Sequence, residues 1–303
     1  MQDVWIVGGG PAGYTAALYC ARAGLSTGVL EALMPGGQMG TTDHIDNYPG
    51  FPDGIGGFEL AQAMQKQAAR FGAVTQTGNV REVSLDGAVK RVVCEDGKVY
   101  EAKAVILACG ASPRELGLPN ERALRGRGVS YCATCDGMFY RGKEVVVVGG
   151  GNTAAADAVY LAKLCKKVTL VHRRDKLRAS GAYIKPLKEA ENLEIVWDSV
   201  VTAIEGEPVE SVQLQNVKTG ESRALPCSGV FVAVGNVPNT AFLKGHVALD
   251  EQGYVQAGED TRTSVPGVFA AGDVRRKPLR QVVTAVSDGA VAAHMAEEYL
   301  SAR

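Results

Sequence analysis

The chain has 303 residues, enough for two domains, and its 46% hydrophobic and 21% charged residues are the balance of an ordinary globular protein. Its 32 basic and 33 acidic residues leave a net charge of −1, without the basic excess of a nucleic-acid surface. No run approaches the roughly 20 apolar residues that span a bilayer, so neither a nucleic-acid nor a membrane partner is expected.

Seven scattered cysteines, an odd number, argue against the disulfide framework of a small secreted domain. The opening MQDVWIVGGG has no basic stretch ahead of its apolar run. No secretory leader is expected, and a cytoplasmic setting is.

In chain order, VWIVGGGPAGYTAALYCARAGLSTGVLEA reads as a strand (Val4–Val7), a glycine turn, a helix (about 12–23) stopped by Gly24, and a second strand (about 27–30). Gly8, Gly10 and Gly13 fit G-x-G-x-x-G: a tight turn, close approach of backbone to a pyrophosphate, and tight helix–strand packing. The pyrophosphate belongs on the helix N-terminus, where free N–H groups and the helix dipole favour negative charge. Glu31 ends the second strand, placed to accept from the hydroxyls of an adenosine ribose.

The same pattern returns from Glu144, in EVVVVGGGNTAAADAVYLAKLCKKVTLVHRR. Gly149, Gly151 and Ala154 each stand 141 positions after a member of the first fingerprint. The offset carries Glu31 onto His172, followed by Arg173 and Arg174. An acid there repels a 2′-phosphate and a basic cluster grips one. The first turn is therefore expected to hold a dinucleotide with a free 2′-hydroxyl and the second to hold NADP(H).

Two more stretches echo each other. AVILACGASPR (104–114) and GVFVAVGNVPN (229–239) are apolar strands that end in a glycine followed three residues later by proline. They read as the places where the chain leaves one domain and closes the next. The expected fold class is α/β, with two Rossmann-like dinucleotide-binding domains. One, residues 1–112 plus 245–303, has the other, 113–244, inserted into it. Residues 281–303 read as a final amphipathic helix.

Between the fingerprints lies YCATCDG, with Cys132 and Cys135 at C-x-x-C spacing. Half of a zinc site, coincidental packing and a redox dithiol are the three readings. Zinc needs four ligands, and there is no second C-x-x-C; the histidines at 44, 172, 246 and 294 are scattered, so no metal is expected. The other cysteines lie singly on apolar stretches, as packed cysteines do. The small Ala133 and Thr134 and the turn-prone Asp136-Gly137 favour a dithiol, with Asp136 as a candidate acid–base. A helix cap or turn is the alternative role for Asp136. Hydride from NADPH reaches sulfur most readily through a flavin, and FAD, with its free 2′-hydroxyl, suits the first turn.

These features, with PGGQMGTTDHIDNYPGFPDGI, VHRRDKLRAS and AAGDVRRKPLRQVVTAVSDGAVAA, resemble the low-molecular-weight thioredoxin reductases of bacteria over essentially the whole chain. The resemblance implies a glutathione-reductase-type, three-layer ββα architecture in both domains, a homodimer, and thioredoxin as protein substrate. It implies FAD held non-covalently by Gly8, Gly10, Pro11, Ala12, Gly13, Glu31, Gly36, Gly37, Gln38, Asn47, Val80, Gly110, Gly272, Asp273, Arg280, Gln281 and Val282. It implies NADPH on Gly149, Gly151, Asn152, Thr153, Ala154, His172, Arg173, Arg174, Arg178 and Gly235. Cys135 would face the flavin, Cys132 would attack thioredoxin, and Asp136 would serve as acid. The NADPH-binding domain would swing on hinges near 110–117 and 235–245, letting dithiol and nicotinamide take turns at one flavin.

Cys109, Ala156, Met39 and Gly40 depart from the residues common in that family. Rival readings keep the fold and change the chemistry: ferredoxin as donor, another disulfide protein as acceptor, or a flavin dithiol oxidase.

Overall fold

A computed structural model describes residues 1–42 and 44–302. The chain divides into two compact units: Met1–Ser112 with the segment from Val237 on, and Pro113–Asn236.

The first unit begins with β1 (Gln2–Val7), α1 (Pro11–Arg22), β2 (Thr27–Glu31), α2 (Gly57–Arg70) and β3 (Val74–Thr77). A hairpin, β4 (Val80–Ser84) and β5 (Lys90–Cys94), then leads to the long β6 (Val99–Leu107) and the short β7 (Ala111–Pro113). The sheet order is β3-β2-β1-β6-β5-β4, parallel from β3 to β6 and antiparallel beyond.

In β1 the side chains alternate between the two faces of the sheet, as the two-residue period of a strand requires. Val4 and Ile6 join the alanines of α1 on one face, and Trp5 and Val7 meet Val83 and Val92 of the hairpin on the other. Both faces are covered, so β1 from Val4 and β6 from Ala104 read as unbroken apolar runs.

The second unit holds β8 (Val129–Ser130), the one-turn α3 (Ala133–Asp136), β9 (Glu144–Gly149), α4 (Asn152–Ala162), β10 (Lys167–Val171), α5 (Gly181–Glu189) and β11 (Leu193–Val196). A meander of β12 (Ser199–Glu205), β13 (Ser211–Asn216) and β14 (Ser222–Pro226) precedes β15 (Gly229–Ala233), and β16 (Asn236–Pro238) straddles the end of the unit. The parallel sheet runs β11-β10-β9-β15-β8, and the antiparallel meander stands apart from it. Val145 and Val147 face the helix side with Ala155 and Ala158 of α4. Val146 and Val148 face the meander side with Ile204, Val212 and Leu214. Helix, parallel sheet and antiparallel sheet are thus stacked in three layers.

The chain then returns to the first unit, where β17 (Val268–Ala270) adds to β6 and α6 (Val282–Ser301) lies on α1. The two helices approach so closely that a Cβ at Gly289 would strike the carbonyl of Ala12. The return falls at residue 237, not at 245 as the sequence led us to expect. Residues 237–244 already belong to the first core. Leu243 is fully buried in the cluster with Val7 and Val105, and Asn239 donates from its backbone N–H to Gly110 O (3.0 Å) and from Nδ2 to Cys109 O (2.8 Å).

Helix α1 starts and ends one residue earlier than expected, because Pro11 is tolerated at a first helical position that needs no N–H. Among the described residues, no helix is long and apolar enough to cross a membrane.

Candidate active site

The first glycine turn joins β1 to α1. Gly8 sits at φ +108°, where its missing Cβ also avoids the carbonyl of Ala108. Gly13 allows α1 to lie on the turn, since a Cβ there would enter the Gly8 carbonyl. Gly10 caps the helix without any side-chain hydrogen bond, and the first turn, with Pro11 and Ala12, holds no acid. An anion is the natural acceptor for such an end. Glu31 accepts from the Gly9 N–H at 2.8 Å and the Leu33 N–H at 3.2 Å, which fixes its carboxylate beside the turn.

The loop after β2 closes back on this turn through the Gly36 N–H and Gly9 O, 2.8 Å apart. Space stands open beside Gly110, at φ +66°, and Gly37, at φ +55°, faces the Cα of Gly10 across the turn. Gln38 Nε2 donates to the Ala111 carbonyl. Asn47 Nδ2 reaches Gln281 Oε1 at 3.0 Å, which brings Asn47 to the residue that caps α6 just before Val282. Val80 is half-buried on the hairpin face of the core.

The turn Gly272–Val274 presents Asp273, whose buried Oδ1 has no partner among the described residues; neither has the buried Nε of Arg280. Burial pushes the Asp273 carboxyl up, against the pull of Lys277 and Arg280. The Arg280 guanidinium lies over the Tyr254 ring, 4.4 Å from its centroid. A bare helix end, a ribose-spaced carboxylate, a glycine with open space and buried polar atoms awaiting partners together fit a flavin dinucleotide.

The second turn repeats the first. Gly149 has no room for a Cβ beside Ala233 O, and Gly151 caps α4 with open space around it and no acid in the first turn. Asn152 and Thr153 are exposed at the helix start, and Ala154 packs inward. Asn152 Oδ1 accepts from the Ser180 N–H at 2.8 Å. The loop after β10 is tied back by the Arg178 N–H to Gly150 O, 2.7 Å.

Arg173, Arg174 and Arg178 are exposed around this loop. His172 is not among them. It is 6% exposed, its ring lies against Gly150, and its Nε2 is 3.1 Å from Lys176 O. Burial lowers its pKa, so the neutral ring is a wall of the turn and the three arginines carry the charge. Gly235, at φ +107°, has open space for a ligand.

The cysteine pair belongs to this same unit. Cys132 caps α3 and is joined to Cys135 by a disulfide, with Cα atoms 5.3 Å apart. Both cysteines and Asp136 are half-buried. The N–H groups of Cys135 and Asp136 both point to Cys132 O, at 3.3 and 3.1 Å. The Asp136 carboxylate receives a 2.6 Å hydrogen bond from Ser130. The remaining thiols are inert by comparison. Burial pushes Cys20, Cys109 and Cys227 up to about 12 and Cys165 to about 11, so they stay protonated and unreactive.

Two sets of residues stand out only once the chain is folded. Ser130 ends a two-residue strand, and no spacing rule marks it. Asp288, 7% exposed within the alanine-rich α6, accepts from Arg275 Nε and Nη2 (2.9 Å each), Lys277 Nζ (2.8 Å) and the Gly272 N–H (2.9 Å). Burial opposes its ionisation, but the hydrogen bonds from Arg275 and Lys277 win and hold its carboxyl below the usual range. A lone acid in the apolar first half of a helix was the available clue.

Known proteins resemble this chain over its whole length. A thioredoxin reductase of Streptomyces coelicolor is 47% identical over 305 residues, which cover 100% of this chain and 95% of the relative. A bifunctional thioredoxin reductase/thioredoxin of Mycobacterium leprae is 46% identical over 303 residues, 99% of this chain and 66% of the relative. The crystal structure of thioredoxin reductase from Streptococcus pyogenes matches with a TM-score of 0.92 at 46% identity, covering 100% of this chain and 99% of that one. The family model for pyridine nucleotide-disulphide oxidoreductases matches residues 2–289, and the chain belongs to that family.

Proposed function

We propose that this chain is a thioredoxin-disulfide reductase that takes its electrons from NADPH, holds FAD as its resident cofactor, and delivers the electrons through Cys132 and Cys135. The observation that carries this reading is the Cys132–Cys135 disulfide, with a hydrogen-bonded carboxylate beside it, in the unit that also holds the second glycine turn. The M. leprae relative, named as both a thioredoxin reductase and a thioredoxin, supports thioredoxin as the acceptor.

When bound, FAD supplies a group that takes hydride and yields an electron pair to sulfur. Gly8, Gly10, Pro11, Ala12 and Gly13 would hold its pyrophosphate, and Glu31 its ribose. Gly36, Gly37, Gln38, Asn47, Val80 and Gly110 would line it, and Gly272, Asp273, Arg280, Gln281 and Val282 would hold it from the other side of the loop. Gly149, Gly151, Asn152, Thr153, Ala154 and Gly235 seat NADPH, whose 2′-phosphate is gripped by Arg173, Arg174 and Arg178, with His172 as the wall behind. Cys132, as thiolate, attacks the thioredoxin disulfide; Cys135 then attacks Cys132 and frees reduced thioredoxin. Asp136 moves the thiol proton.

The chain crosses between its units at 112–113 and 236–237, and we place the hinges of the domain rotation there. The functional assembly is a homodimer in the cytoplasm.

The test uses purified protein with NADPH and thioredoxin. NADPH bleaches the flavin absorbance, and thioredoxin then reduces a disulfide dye. Cys132→Ser removes turnover, by more than about 1,000-fold, because the attacking sulfur is gone, and leaves the bleaching intact. Full turnover in that variant rejects the route. Faster turnover with reduced ferredoxin than with NADPH rejects the donor.

A further inference from the structure

We propose that Ser130 is the positioning residue of the dithiol's acid: its hydroxyl pins the Asp136 carboxylate to the backbone of Cys132. The proposal rests on the assignment of Asp136 made above and extends it to a residue with no sulfur and no charge.

Ser130 ends β8, a strand of two residues that pairs with Val230 and Phe231 of β15. It is 3% exposed, next to Val129 and paired with Phe231. A hydroxyl buried there costs stability unless it is hydrogen-bonded. Its bonds go to the redox loop. Oγ lies 2.6 Å from Asp136 Oδ2 and accepts from the Cys132 N–H at 3.1 Å. A third neighbour, Cys132 O, is farther away at 3.4 Å. One hydroxyl proton serves one acceptor well, and these distances give it to the carboxylate. Ser130 therefore spans the loop, touching the residue that opens the C-x-x-C motif and the residue that follows it.

The anchor matters because α3 is a single turn of four residues. So short a helix gives Asp136 little support of its own. Ser130, set in a sheet, supplies a fixed point. The hydroxyl also suits both states of an acid–base. It donates to a carboxylate, and after rotation it accepts from a carboxylic acid.

In the exchange, Cys132 sulfur bonds to one sulfur of the partner disulfide, and the partner's S–S bond breaks. Cys135 then loses its proton and bonds to Cys132, and the mixed disulfide breaks. Two electrons pass from the enzyme's sulfurs to the partner's, and two protons end on the partner's thiols: the Cys135 proton and the one Cys132 released to water on becoming a thiolate. Asp136 takes the Cys135 proton and returns it to the leaving sulfur. Ser130 holds Asp136 where both transfers are short.

The experiment compares flavin-loaded wild type, Ser130→Ala, Asp136→Asn and the double variant for kcat with NADPH and thioredoxin, and for NADPH bleaching, which needs no dithiol. Loss of a general acid is expected to lower kcat on the order of 100-fold in Asp136→Asn. A displaced acid is expected to cost about 10-fold in Ser130→Ala, with KM for thioredoxin and bleaching unchanged. The double variant is expected to match Asp136→Asn, because a positioning residue has nothing left to position. Ser130→Thr, which keeps the hydroxyl, is expected to recover most of the loss. A double variant slowed by the product of the single losses overturns the proposal, since a merely structural defect behaves that way. Ser130→Ala at wild-type kcat beside a slow Asp136→Asn overturns the positioning role alone. Asp136→Asn at wild-type kcat overturns the acid assignment and the positioning role with it.

Discussion

At the first glycine turn a carboxylate closes the site: Glu31 accepts from the Gly9 N–H. At the second, 141 residues on, the ring of His172 lies against Gly150 in the corresponding place. The frames around them match. Val7 pairs with Leu30 and Val148 with Val171, the same register shifted by the same offset. The following loop is tied to the middle glycine's carbonyl in both, by Gly36 N–H at one turn and Arg178 N–H at the other. Backbone geometry therefore does not choose the ligand. The choice lies in the side chain that ends the second strand and in the loop after it, where the first turn has Gly36 and Gly37 and the second has arginine.

The frames differ at one contact, and breaking it gives the largest expected effect. Gly13 allows α1 onto Gly8, whereas its counterpart Ala154 keeps a fully buried Cβ against the α4 side of the core. Gly13→Ala is expected to overpack the first turn at a cost of about 3 kcal/mol and to empty it of flavin. Ala154→Gly is expected to cost only about 1 kcal/mol, the price of a glycine in a helix, and to leave the flavin in place. Thermal unfolding and flavin absorbance measure both. Equal losses mean that the two helices sit alike on their turns.

Much of this contrast was legible before any coordinates. Glycines at fixed spacing after an apolar strand dictate a turn and a helix, and the strand-then-basic run of 167–174 sets the second ribose end apart from the first. His172 was legible as a member of that run but not as a buried wall. Burial of its ring depends on Gly150 and Trp197, which are distant in sequence. Asp273 could be named only through likeness to a family, because its unpaired oxygen is a fact of packing. The Asp288 cluster and Ser130 stayed hidden for the same reason: long-range hydrogen bonds leave no period in a sequence. The second domain crossing was misplaced because residues 237–244 carry turn residues yet anchor in the first core through Leu243 and Asn239.

The charge side of the comparison is sharpened by replacing Arg173 and Arg174 with glutamine. Both are exposed beside the second turn, and the first turn has no counterpart to them. Removing two charge-assisted bonds to a 2′-phosphate is expected to cost about 2–3 kcal/mol, a rise of roughly 30- to 150-fold in KM for NADPH. NADH, with no such phosphate, is expected to change by less than about 3-fold. An equal rise for both nucleotides breaks the assignment of this turn to a phosphorylated ribose.

The smallest effect concerns the helices themselves. Position 157 in α4 is aspartate, and its counterpart in α1 is Ala16, fully buried. Burial raises the Asp157 carboxyl from 3.8 to about 7. Between those two values the folded chain holds a proton that the unfolded chain has lost, so stability falls as pH rises through that window and levels off above it. Asp157→Asn removes the titration while keeping the shape. Its stabilising effect is expected to be on the order of 1–2 kcal/mol at pH 8 and close to zero at pH 4, a figure discounted because the group is only partly shielded from water. Chemical denaturation at the two pH values reads the difference. A gain of the same size at both means that burial is not what distinguishes α4 from α1 at this position.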